Sequence, residues 1–150
     1  EWVCVSTDTK TVYEENGGTG KDFTTVVVSG NAAGVVSPPY VIYAAKTVNP
    51  LWCENGPAET QYRCSKKGWI NEELFTDWFE SLFIPETVHI SKPIILIMDN
   101  LSAHISIKTI ELALKNQIIL MCLPPNTTHC LQPLDLTTFG FVLTYFRIYF

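Results

Sequence analysis

Two aspartates carry the chemistry this sequence could do. Asp99 follows the apolar run Ile94–Met98 and is itself followed by Asn100. Asp135 comes after thirty-five intervening residues, past a second apolar run, Ile118–Leu123, and the break at Pro124-Pro125-Asn126. Carboxylate oxygens are hard ligands, and two that converge suit Mg²⁺ or Mn²⁺. Each aspartate also has a plainer use. Asp-Asn pairs open turns, and an acid in the first turn of a helix steadies its dipole by about 0.3–1 kcal/mol. Position alone does not separate the two uses; it is the pairing of the carboxylates that favours a metal.

That pairing depends on the elements that hold the aspartates. Ile94–Met98 has the composition of a strand buried on both faces, and Gln117–Leu123 reads as a second such strand. Ile105–Asn116, with apolar residues at 107, 110, 113 and 114, reads as a helix between them. Strand, helix, strand in so short a span implies a right-handed parallel crossover. Ligands in such sheets sit beyond the carboxyl ends of the parallel strands. Asp99 sits there, and Asp135 follows the end of the neighbouring strand, in the first turn of a final helix that starts near Pro133. Both carboxylates should therefore open on the same side of the sheet.

The rest of the chain supplies the frame. Phe23–Ser29 and Val35–Ala44 are predicted as a hairpin around the turn Asn31-Ala32-Ala33-Gly34. Pro38-Pro39, inside the second of these strands, removes two ladder donors and places it at a sheet edge or bulge. Residues 45–70 show no clear period and read as a long loop. Asn71–Phe83 is the clearest helix: Asn71 caps it and Glu72 and Glu73 suit its positive end. Leu74, Phe75, Trp78, Phe79, Leu82 and Phe83 form one apolar face, read as core packing, and Pro85 should end the helix. Trp2–Ser6 could add a short strand. The order, hairpin, helix, strand, helix, strand, helix, describes an α/β domain with a mixed sheet.

Composition excludes several classes. The chain has 150 residues, 47% of them hydrophobic and 17% charged, which rules out a disordered tail or coiled coil. A net charge of −5 argues against gripping DNA or an anionic membrane by bulk charge alone. Its apolar runs are too short to cross a bilayer. Five cysteines without CxxC spacing support neither a zinc ribbon nor a thioredoxin motif and read as reduced thiols. Gly17-Gly18-Thr19-Gly20-Lys21 fails as a phosphate loop, because Glu15 and Asp22 occupy two of its required positions. A phosphohydrolase of the Asp-x-Asp kind is disfavoured by Leu101.

Asp99-Asn100-Leu101-Ser102-Ala103-His104, followed by Leu123-Pro124-Pro125-Asn126-Thr127-Thr128-His129-Cys130-Leu131-Gln132-Pro133-Leu134-Asp135, resembles the catalytic domain of DDE transposases. The resemblance is to the pogo, Tigger and jerky branch of the mariner-like superfamily, which includes centromere protein B. It covers roughly residues 10–147, and Tyr13–Lys21, Gly34–Pro39 and Lys67-Gly68-Trp69-Ile70 also match. It implies an RNase H-like fold in a nuclear DNA transposase, with two divalent cations held by three acids. Asp99 matches the second acid and Asp135 the third. Asn100 and His104 match positions beside the second, as helpers; hard cations prefer oxygen to imidazole. His129 falls in the loop before the third acid. The family's first acid lies in a motif like Asn-x-Asp-Glu-Thr-Gly, which this sequence lacks. Residues 1–150 are accordingly expected to be a fragment of a catalytic domain. Its first, central strand would be missing and its DNA-binding domains would lie elsewhere. DNA is the expected partner, no membrane is, and self-association through open strand edges is. The alternative is a domesticated or decayed relative that associates with DNA without cutting it.

Overall fold

The computed structural model describes residues 23–101, 104–125, 127–132 and 134. The expectations for Trp2–Ser6, the Gly17–Lys21 segment, Pro133 and Asp135 lie outside them.

Five strands form two sheets among the described residues. β1 (Thr24–Val27), β2 (Tyr40–Ala44) and β3 (Gln61–Ser65) make one, in that order, with β2 at its centre. β1 runs antiparallel to β2, and β3 runs parallel to it. The hairpin between β1 and β2 is as expected, its turn closed by Gly34 N donating to Asn31 O at 3.0 Å. The two prolines differ from expectation. Pro38-Pro39 precede β2 instead of lying inside it, so their missing donors take nothing from the ladder. The Pro39 carbonyl accepts from Gln61 N at 3.0 Å and starts the β2–β3 pairing. The predicted loop over 45–70 is also corrected, because it contains a 3₁₀ turn at Pro50–Cys53 and all of β3.

α1 (Glu72–Trp78) opens as its sequence dictates, with Asn71 Oδ1 accepting from Leu74 N at 2.9 Å. It does not stop before Pro85. A π-helical segment (Phe79–Phe83) continues it into α2 (Ile84–Glu86). Proline lacks the donor that would reach the Ser81 carbonyl, four residues back. That carbonyl instead accepts from Gln61 Nε2 at 3.1 Å, so the wider turn leaves no acceptor stranded. The predicted apolar face is buried: Phe75, Trp78, Phe79, Leu82 and Phe83 all belong to the core.

β4 (Ile94–Met98), α3 (Ile107–Lys115) and β5 (Ile118–Cys122) form the parallel crossover, in register from Ile94↔Ile118 to Met98↔Cys122. Burial on both faces is corrected. Leu96 and Met98 enter the core, while Ile95 and Ile97 are about half exposed, as are Ile119 and Met121 beside them. One cluster joins the two sheets. Tyr40 and Ile42 of β2, Leu96 and Met98 of β4, Ala113 of α3 and Ile118 of β5 all pack with the aromatic face of α1 and its extension. A short α4 (Thr128–Leu131) follows, before the point where the last helix was expected to start. Cys53, Cys64, Cys122 and Cys130 are free thiols. No helix among the described residues is long and apolar enough to cross a membrane.

Candidate active site

Asp99 leaves the carboxyl end of β4 with its side chain about one-third exposed. The neighbouring strand exits at the same end: Leu123 N donates to Met98 O at 2.9 Å, one residue before Asp99. The segment leading towards Asp135 therefore departs beside Asp99, although Asp135 itself, and the convergence of the two carboxylates, lie outside the described residues. Asn100 is exposed.

The Asp99 carboxylate is held through one oxygen. Oδ1 accepts from Leu101 N at 3.3 Å and lies 2.8 Å from His104 Nδ1. Nδ1 has no hydrogen-bond partner among the described residues, and the contact becomes an ion pair only when the ring is protonated. Oδ2 has no protein partner among the described residues. A carboxylate steadied at one oxygen and open at the other, beyond a parallel strand, is a donor set that fits a hard divalent cation. No cluster of three metal-ligating side chains occurs among the described residues.

His104 is fixed from the other side by α1. Its ring stacks on Phe75 with centroids 4.4 Å apart, and its side chain keeps 13% of its exposure. One residue along, Thr76 grips the start of α3. Its hydroxyl donates to Glu72 O at 2.8 Å and lies 3.2 Å from Ser106 Oγ and 3.0 Å from Thr109 Oγ1. Ser106 and Thr109 close the triangle at 2.9 Å, and Ser106 Oγ caps α3 by accepting from Thr109 N at 3.0 Å. All three hydroxyl residues are buried. Two consecutive residues of α1 thus clamp both His104 and the α3 cap that follows it.

Sequence reasoning read Phe75 as core alone and missed Thr76, Ser106 and Thr109. Only Ser106 carried a local signal, a serine just ahead of a periodic apolar segment. His104 is a packed side chain that touches Asp99.

Burial holds the His104 imidazole below the usual histidine range, against the Asp99 carboxylate and backbone, which pull it up. The unfolded chain therefore takes up this proton first as pH falls. The stability contributed by neutral His104 is present above the ordinary value of 6.5 and is lost as pH drops from there towards the folded value. Denaturant midpoints in chelating buffer should fall between about pH 7 and 5, and less so in His104→Gln. Equal declines in both proteins would contradict this account.

Residues 21–150 match the family model described as DDE superfamily endonuclease. A Cochliobolus lunatus protein described as "MFS-type transporter clz9" is 32% identical over 136 residues, covering 87% of this chain and 14% of its own length. Human "Tigger transposable element-derived protein 7" is 30% identical over 98 residues, or 59% of this chain and 17% of that protein. Mouse "Jerky protein" is 26% identical over 134 residues, 77% of this chain and 22% of that protein. The chain thus spans less than a quarter of these relatives. No solved structure matches. With the family model covering most of its length, and Tigger and jerky relatives beside it, the chain belongs to the DDE superfamily endonucleases of the pogo, Tigger and jerky branch.

Proposed function

We propose that this chain is part of a catalytic domain that cleaves DNA phosphodiesters and transfers strands, in a nuclear transposase. The carrying observation is Asp99, held at one oxygen beyond the carboxyl end of β4, with the chain towards Asp135 leaving the same end of β5. Asp99 and Asp135 would hold divalent cations together with a third acid. When bound, such cations activate the attacking oxygen and steady the leaving one during in-line displacement. His104 keeps the Asp99 carboxylate in place, and Asn100 lies exposed beside it, where it could contact substrate.

The fold we infer is an RNase H-like sheet whose first strand pairs between β1 and β4. Two features support it: β1 and β4 each pair on one side only among the described residues, and both sheets share one core. Without that strand, the open edges of β1 and β4 would also suit self-association.

The protein at its full encoded length, incubated with duplex DNA, should cleave it with Mg²⁺ or Mn²⁺ present and lose that activity in EDTA. DNA binding without metal-dependent cleavage would overturn this reading and support the domesticated relative.

A further inference from the structure

We propose that the carboxyl ends of β2 and β3 form a docking site for single-stranded DNA, with phosphates on Lys46, Lys66 and Lys67 and an unpaired base on Trp69. This rests on the DNA-cleaving reading of the neighbouring site and adds where a strand is gripped.

The chain is acidic, with a net charge of −5 and ten Lys and Arg in all. Three of those ten lie in the two turns that follow adjacent parallel strands. Ala44 pairs with Ser65, Ala45 N donates to Ser65 O at 3.0 Å, and Cys64 Sγ lies 3.3 Å from Lys46 O. These bonds put Lys46 beside Lys66 and Lys67. All three lysines are exposed. The ion pairs among the described residues use Arg63, His104 and Lys108 instead.

Trp69 adds the second ingredient. It is 59% exposed and meets the equally open Phe23 edge-on, at 5.7 Å between centroids. Its backbone is nonetheless pinned. Ser65 Oγ donates to Trp69 O at 2.9 Å, and Thr25 Oγ1 donates to Gly68 O at 2.7 Å. Gly68 adopts φ +72°, and a Cβ there would collide with the Phe23 carbonyl. A rigid backbone presenting a free indole is preorganised, so little ordering opposes contact with a base. Exposed aromatic rings flanked by cations are how proteins hold unpaired nucleotides: bases stack on the rings and phosphates meet the lysines. A base inside a duplex has no free face to offer, which is why the single strand is the fitting partner.

The location supports the same occupant. Trp69 lies just ahead of α1, whose first turn carries Phe75 onto His104. Two extended residues and four helical ones span at most about 13 Å. A strand on this patch is therefore within a few nucleotides of Asp99.

The test titrates the protein at its full encoded length against a fluorescently labelled 12-nucleotide oligothymidylate and against a duplex of equal length. Trp69→Leu should weaken binding to the single strand by about tenfold, with Trp69→Phe recovering part of the loss. Lys46→Gln, Lys66→Gln and Lys67→Gln combined should lower the slope of log affinity against log salt by about 2. Thermal unfolding should move little, since the lysines are exposed and Trp69, 59% exposed, gives up an edge contact with Phe23. Binding that is undetectable, or insensitive to these substitutions, overturns the proposal. Equal Trp69→Leu losses on duplex and single strand overturn it as well. The cleavage assay is a separate readout: cleavage with neither loss keeps the activity and removes this site, while both losses without cleavage keep the site and remove the activity.

Discussion

Asp99→Asn should reduce strand cleavage by about three powers of ten or more in the protein at its full encoded length, and leave DNA binding nearly unchanged. The substitution is almost isosteric, and the asparagine oxygen can still accept from Leu101 N, as Oδ1 of Asp99 does. What disappears is a negative oxygen facing the proposed cation. Charge stabilisation by such a cation is worth several kcal/mol at the transition state, and each 1.36 kcal/mol is about tenfold in rate. Asp135→Asn should act alike. His104 reports locally on the same change: without the Asp99 carboxylate, its protonation should shift further down, because the charge that raised it is gone. Cleavage at the unmodified rate in either variant would refute the assignment.

Phe75→Ala should destabilise the protein by about 3–5 kcal/mol, as large-to-small changes at buried aromatics do. The ring is 2% exposed and packs against Trp78 at 5.2 Å, Phe79 at 6.4 Å and His104 at 4.4 Å between centroids. That cost is a large share of the roughly 5–15 kcal/mol that holds a typical domain together. Phe75→Leu fills more of the space and should cost less while still losing the stack on His104. Urea midpoints of the three proteins decide the matter; an alanine variant within about 1 kcal/mol of the parent would mean that the ring is not a keystone of this core.

Much of the frame was legible because local chemistry and tertiary structure agree there. Asn71, Glu72 and Glu73 announce α1, and its aromatic spacing announces the buried face. Ile94–Met98 and Ile118–Cys122 announce the parallel pair. β3 was missed although Gln61-Tyr62-Arg63-Cys64-Ser65 alternates polar and apolar residues, because the segment is short and polar and all five residues end half-buried, so no strongly apolar face marks it as a strand. Pro85 misled because the helix could widen into a π turn once a side chain from another strand took up the freed carbonyl. The apolar runs of β4 and β5 revealed strands but not which face is covered. At the site, Asp99 stood out through its place after a strand. The hold of Phe75 on His104 did not, because it is a contact between residues remote in the chain, each with an ordinary local reading.

The Thr76, Ser106 and Thr109 triangle has a further consequence, in its protons. Thr76 spends its hydrogen on the Glu72 carbonyl, so it can only accept from the other two hydroxyls. Two arrangements then place one hydrogen between Ser106 and Thr109 and the other on a contact to Thr76. Either Ser106 donates to Thr109 and Thr109 to Thr76, or Thr109 donates to Ser106 and Ser106 to Thr76. The heavy atoms are locked while the hydrogens are not. This twofold choice leaves a residual entropy of at most about 0.4 kcal/mol, less to the extent that the 3.0 Å contact is preferred to the 3.2 Å one, and so offsets only a small part of what burying three hydroxyls costs. The joint between α1 and α3 is thus positionally fixed and still carries internal disorder, of a kind that leaves the backbone beside His104 undisturbed.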